Sequence, residues 1–161
     1  MIPARIDAVV SDVDGVLTDG RLLHVGRQAV AKPFHVRDGE ALRALQHAGV
    51  AVLWLTARDD AAMHARAEHL GVAIAVAAPA EAKPRLLSAW LAERGVAAAQ
   101  TVYIGDGISD LAPMADVGWP VAVADAHPRA RQAARRLTRQ PGGAGAFAEV
   151  AAWVLARRTH G

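Results

Sequence analysis

The chain contains no cysteine. That excludes thiolate nucleophiles, disulfide staples and thiolate-held zinc or iron–sulfur centres. Aromatic residues are scarce, with one Tyr, two Phe and four Trp among 161 residues. They do not interleave with basic residues, so no base-stacking surface is expected, and the Trp residues read as core or subunit contacts. An excess of one charge is missing too: 18 basic and 16 acidic side chains leave a formal net charge of +2. The one dense basic run, Arg129, Arg131, Arg135, Arg136 and Arg139, reads as the solvated face of a helix rather than a nucleic-acid contact. No apolar run approaches the length of a membrane span, and residues 1–7 lack the apolar core of a signal peptide. These absences lead to the expectation of a cytoplasmic protein with no nucleic-acid or membrane partner. A single domain over residues 1–161 is expected, since a chain of this length can bury roughly two-thirds of its unfolded surface.

Short apolar runs are present, and they alternate with helical patterns. Residues 8–10, 50–55, 72–76, 101–104 and 121–123 read as strands. Their apolar residues run on continuously, as in strands covered on both faces of a parallel sheet. Helices are expected at 39–48, 59–70, 84–94, 128–137 and 146–157. Gly71 and Gly95 suit helix ends, and Pro84 suits a first turn. The β-α-β-α-β order predicts a doubly wound, Rossmann-like α/β fold. Residues 18–36 break the pattern with Gly20, Gly26 and β-formers such as Leu22, Leu23 and Val30, and read as a projecting β-hairpin.

In an open parallel sheet, ligands bind beyond the carboxyl ends of the strands. Asp12, Asp14 and Gly15 follow the first strand, and Thr56, Ala57 and Arg58 the second. Lys83 opens the helix after the third strand, and Gly105, Asp106 and Asp110 follow the fourth. Four gathered carboxylates repel unless a cation offsets them, and hard oxygen ligands suit Mg²⁺. A carboxylate can attack phosphorus, and a second can protonate the leaving oxygen and then activate water. A lysine, a hydroxyl and turn amides can hold phosphoryl oxygens. Joint placement of these groups points to phosphoryl transfer. His127, beside Pro128, reads as structural; His24 and His35, in or beside the hairpin, read as interface residues.

Asp12-Val13-Asp14-Gly15-Val16-Leu17-Thr18 resembles the first motif of the haloacid dehalogenase superfamily. Leu55-Thr56, Lys83 and Gly105-Asp106-Gly107-Ile108-Ser109-Asp110 match its second, third and fourth motifs in order. Phe34-His35-Val36-Arg37-Asp38-Gly39, residues 121–128 and residues 142–146 extend the resemblance to its small capless branch of sugar-acid phosphatases. The resemblance implies that Asp12 is the nucleophile and Asp14 the general acid and base. It implies Mg²⁺ held by Asp12, Asp14 and Asp106 with support from Asp110, and a phosphoryl group bound by Thr56, Ala57 and Lys83. Arg37, Asp38 and Gly39 become substrate contacts. The implied substrate is a phosphorylated keto-deoxy sugar acid, 3-deoxy-D-manno-octulosonate 8-phosphate or alternatively a nonulosonate 9-phosphate. The implied assembly is a homotetramer in which one subunit's hairpin covers its neighbour's site. Two other readings are phosphotransfer to a sugar and a non-catalytic oligomerising domain like those fused to cytidylyltransferases. Three positions depart from the family pattern: Gly107 where a second acid often stands, Glu40-Ala41 after Arg37-Asp38-Gly39, and Ala144 where the glycine-rich loop commonly has an arginine.

Overall fold

The structure, a computed structural model, describes residues 5–27 and 29–158. The first strand, β1 (Ala8–Ser11), is buried along its whole length. The hairpin follows as β2 (Leu23–Val25) and β3 (Ala29–Ala31), an antiparallel pair separate from the main sheet. Then come α1 (Val36–His47), β4 (Ala51–Thr56), α2 (Ala61–Leu70), β5 (Ala73–Val76) and α3 (Lys83–Arg94). The chain continues through β6 (Thr101–Gly105), α4 (Leu111–Asp116), β7 (Trp119–Ala122), α5 (Pro128–Ala133), β8 (Arg136–Leu137) and α6 (Ala146–Arg158).

The six main strands run in the order β5-β4-β1-β6-β7-β8, and every pair is parallel. Leaving out the hairpin, this is the Rossmann strand order, and the order reverses between β1 and β6. The expected fold class is therefore met, with a projecting hairpin and no separate cap domain among the described residues. Helix α1 packs against α6, and α3 against α4. Val9, Val10, Leu53, Leu55, Ile104 and Val121 of the sheet join Leu42, Leu45, Phe147, Val150 and Val154 of the helices in one buried core. The apolar stripe of α6 at Phe147, Val150, Ala151 and Val154 is 2% exposed or less. Burying one such large side chain is worth about 1.5–3 kcal/mol. Among the described residues, no helix is long and apolar enough to cross a membrane.

Several elements differ from the sequence expectation. Helix α1 begins at Val36, not residue 39, because His35 caps it: its Nδ1 accepts from the Arg37 amide at 3.2 Å. Arg37, Asp38 and Gly39 thus form a first helical turn, and His35 works as a cap. The helix expected over 128–137 stops at Ala133. There the chain is drawn into β8, with the Arg135 amide donating to Pro120 O at 2.9 Å and the Thr138 amide to Ala122 O at 3.0 Å. The basic run is therefore not one helix face. Arg129 and Arg131 lie on α5, whereas Arg135, Arg136 and Arg139 lie along β8 and its flanks, and all five are exposed. Helix α4 has no counterpart in the sequence reading; it is six residues long and contains Pro113. Trp54, Trp90 and Trp119 are buried core residues, whereas Trp153 lies half-buried under the Arg136 guanidinium, 3.5 Å from its ring centre.

Candidate active site

The registers Ser11↔Ile104 and Ser11↔Trp54 bring the ends of β1, β6 and β4 side by side. Asp12 extends this alignment by one residue, donating its amide to Ile104 O at 2.9 Å. The next turn is tight: the Val16 and Leu17 amides both donate to Val13 O, at 3.2 and 2.9 Å. Gly15 adopts a φ of 88° in that turn, and a methyl group there would lie 2.1 Å from Asp106 Oδ2. Glycine is thus required both by the left-handed backbone and by the approach of the Asp106 carboxylate. Gly142 fits equally closely from the glycine-rich loop, where a methyl would meet Gly15 O at 1.9 Å.

Carboxylate oxygens of Asp12, Asp106 and Asp110 lie within 4.8 Å of one another. Asp110 is fully buried and fully engaged. Its Oδ1 accepts from Lys83 Nζ at 2.8 Å and Tyr103 OH at 2.7 Å. Its Oδ2 accepts from the Asp106 and Gly107 amides at 2.9 and 3.0 Å. Lys83, also fully buried, pairs with Asp12 Oδ2 at 3.1 Å. Burial alone would depress the Lys83 ammonium, but the Asp12 and Asp110 carboxylates outweigh it and hold it above its ordinary value. Burial, then the negative charge of Asp110, pushes Asp12 well above the usual carboxylate range, with Lys83 opposing. Asp106 is pushed up to about 7 by burial and then by Asp110, with Asp125 adding and Lys83 subtracting.

One lysine thus faces three carboxylates, and two of these are costly to ionise as they stand. The donor set fits a divalent cation bound by hard oxygens. Asp12 and Asp106 would ligate it. Asp110, whose oxygens are already taken by four donors, would brace the site.

These groups open into a cleft of about 600 Å³ lined by Asp12, Asp14, Thr56, Ala57, Arg58, Asp59, Asp106, Gly107 and Ser109. Thr56 Oγ1 accepts from the Arg58 amide at 3.1 Å and does not cap α2. Asp60 does so instead, accepting from the Met63 amide at 2.9 Å. Lys83 lies beneath the cleft, reaching it through Asp12.

Asp38 and Gly39 line a separate, very small cavity with Phe34, Trp54 and Arg66, not this cleft. Asp38 is 3% exposed, and its Oδ1 accepts from Ala148 N at the start of α6. Arg37 is exposed. His127, as expected, is structural: its Nδ1 accepts from the Arg129 amide and caps α5.

Sequence reasoning missed Lys32, Tyr103 and the cleft residue Ser109. Tyr103 had a legible signal, because the only tyrosine in an apolar strand needs a partner for its hydroxyl. Lys32 had none beyond its place at the end of the hairpin. Its side chain is wholly buried, with Nζ 2.8 Å from Asp14 Oδ1 and 2.5 Å from Asp60 Oδ2. Arg58 Nε lies 3.7 Å from Asp14 Oδ2.

Residues 24–118 match the family model described as haloacid dehalogenase-like hydrolase. A 3-deoxy-D-manno-octulosonate 8-phosphate phosphatase of Haemophilus influenzae is 37% identical over 151 residues, covering 94% of this chain and 83% of the relative. A Yersinia pestis protein of the same name is 38% identical over 153 residues, covering 94% of this chain and 81% of the relative. Among solved structures, the cobalt-bound form of the Haemophilus influenzae phosphatase superposes with a TM-score of 0.90 at 35% identity, covering 97% of this chain and 91% of that one. The Moraxella catarrhalis phosphatase, solved with magnesium ion, phosphate ion and KDO, superposes with a TM-score of 0.91 at 29% identity, covering 98% and 90%. With its motif residues converging on one cleft, the chain belongs to the haloacid dehalogenase-like hydrolase family, and it is a phosphoric monoester hydrolase.

Proposed function

We propose that this protein is a Mg²⁺-dependent phosphatase that hydrolyses 3-deoxy-D-manno-octulosonate 8-phosphate through an aspartyl-phosphate on Asp12. The observation that carries this reading is the crowding of Asp12 and Asp106 at the strand switch, where burial and Asp110 oppose their ionisation. Mg²⁺ held by Asp12, Asp106 and the Asp14 backbone would offset that charge and draw electrons from the phosphoryl group.

Asp12 sits at the cleft floor with its Oδ1 fixed by the Val13 amide at 2.7 Å. The other carboxylate oxygen attacks phosphorus, forming the Asp12–phosphorus bond as the bond to the sugar oxygen breaks. Asp14 gives its proton to that departing oxygen. It then takes a proton from the water that attacks the aspartyl-phosphate, which restores Asp12 and frees phosphate. Thr56 and the Ala57 amide hold the equatorial oxygens, and the charge of Lys83, beneath the cleft behind Asp12, favours them. Arg58 is half exposed at the cleft, a cation suited to the substrate carboxylate.

Relatives with this named activity support the substrate. The altered positions Glu40 and Ala144 keep a nonulosonate 9-phosphate as the second reading. Asp12→Asn should abolish Mg²⁺-dependent phosphate release while leaving the unfolding curve cooperative. Turnover above a thousandth of the wild-type rate would refute the nucleophile. A phosphate-release screen should rank the octulosonate ester first, and a tenfold preference for neutral sugar phosphates would overturn the substrate class.

A homotetramer built through the hairpin is part of the same reading. Leu23 and Val25 are 65% and 56% exposed on β2, an apolar surface without cover among the described residues. Deleting residues 21–31 should lower both the sedimentation coefficient and the activity; an unchanged sedimentation profile would count against the assembly.

A further inference from the structure

Lys32 is a buried charge that the chemistry above does not use. A buried lysine is tolerated only with well-placed partners, and here both partners are carboxylates that belong to different elements. Asp60 is fixed first, because its Oδ1 accepts from the Met63 amide at the start of α2. Its other oxygen meets Lys32, and Lys32 Nζ donates to Asp14 Oδ1 at 2.8 Å. The result is a chain of charges running from the start of α2, through the foot of the hairpin, to the cleft.

Asp14 needs such an external hold. It sits on a turn whose next residue, Gly15, is in the left-handed region. Its side chain is 22% exposed at the cleft. Among the described residues its remaining carboxylate oxygen, Oδ2, is paired only with the Nε of Arg58, at 3.7 Å, and the Arg58 side chain is itself half exposed. One oxygen is therefore anchored by a buried ammonium and the other is left toward the cleft.

We propose that Lys32 is a positioning residue for the acid–base step: anchored on Asp60, it holds Asp14 Oδ1 and leaves Oδ2 to carry the proton. Lys32 itself gives and takes no proton. In the first half-reaction the Oδ2–H bond breaks as the leaving sugar oxygen gains the proton. In the second, a water proton passes to Oδ2 as the water oxygen bonds phosphorus. The proposal rests on Asp14 being the acid and base. It also couples the hairpin to the chemistry, since a shift of the hairpin foot moves the oxygen that Lys32 holds.

The test compares two esters in the full-length Mg²⁺-loaded protein: 3-deoxy-D-manno-octulosonate 8-phosphate, whose alkoxide must be protonated, and p-nitrophenyl phosphate, whose phenolate leaves unaided. Lys32→Met should lower kcat on the sugar ester by about ten- to a hundredfold, below the full worth of a general acid. On p-nitrophenyl phosphate it should lower kcat by less than about threefold, with KM for both esters within about twofold. Asp14→Asn should show the same selectivity more strongly, and the double variant should lose no more than Asp14→Asn alone. Asp60→Asn keeps a capping oxygen and removes the charge, so it should show a weaker loss of the same selective kind; it decides the matter if Lys32→Met does not fold. Equal losses on both esters in Lys32→Met and in Asp60→Asn, or multiplied losses in the double variant, would overturn the positioning role while a selective Asp14→Asn left the acid–base reading standing. A non-selective Asp14→Asn would overturn both.

Discussion

Replacing Asp106 by Asn should make the metal-free protein more stable while destroying its activity. The Asp106 carboxyl titrates at about 7 in the folded state, against an ordinary value of 3.8, because of its burial and then the Asp110 charge. Below about pH 4 both folded and unfolded chains hold the proton. Between about 4 and 7 the folded chain keeps a proton that the unfolded chain has lost, so stability falls as pH rises through this window. At about 1.4 kcal/mol per pH unit, the full penalty above pH 7 is about 4 kcal/mol, and partial solvent access reduces it to about 2–4 kcal/mol. Asparagine cannot ionise and escapes the penalty. Urea denaturation without metal should therefore place Asp106→Asn about 2–4 kcal/mol above wild type at pH 8, and within about 1 kcal/mol of it at pH 4. Magnesium at a hundred times its Kd should restore about 2.7 kcal/mol to wild type and little to the variant. Parallel stability curves from pH 4 to pH 8 would refute the electrostatic account of the cluster.

Gly15→Ala should lose at least about a hundredfold in kcat/KM and about 1–2 kcal/mol in urea, since its methyl would sit 2.1 Å from Asp106 Oδ2 and its φ of 88° disfavours any L side chain. Normal turnover would show that the turn can draw away from Asp106. Tyr103→Phe should cost about 1.5–3 kcal/mol, because it deletes a buried donor to a carboxylate. Its kcat should fall less than about tenfold, because the hydroxyl serves Asp110 and not the substrate.

The convergence of the candidate site residues was legible because parallel strands deliver their carboxyl ends to one edge. Asp12, Thr56, Lys83 and Asp106 each lie within a residue or two of a strand end or a helix start, so the topology alone brings them together. What escaped the sequence was set by long-range pairing. Strand β8 is two exposed residues with no apolar run, and it exists because the Thr138 amide finds Ala122 O. Helix α4 is too short for any period to show, and Pro113 argues against it. Arg37-Asp38-Gly39 has the composition of a turn, yet becomes a helix start through the ring nitrogen of His35 before it. Lys32 drew no reading from the sequence, since its partners are Asp14, 18 residues earlier in the chain, and an Asp60 fixed by a different helix.

Asp106 and Asp110 show why the fourth motif needs two acids of the same type treated in opposite ways. Asp110 receives four donors, two from backbone amides and one each from Lys83 and Tyr103. Its two oxygens are thereby held in place before any ligand arrives. Among the described residues Asp106 receives no comparable set: its own amide serves Asp110, and its Oδ2 lies where it would be 2.1 Å from a methyl group at Gly15. Burial, and then the negative charge of Asp110, makes ionised Asp106 and Asp12 unfavourable. A cation held by Asp12 and Asp106 would therefore owe part of its affinity to Asp110 even without touching it. Neutralising Asp110 with Asn would relieve Asp106 but also orphan Lys83 and Tyr103 in the interior. Asp106→Asn, by contrast, should stabilise the fold at neutral pH, and comparison of the two variants separates charge stored for function from charge that holds the structure together.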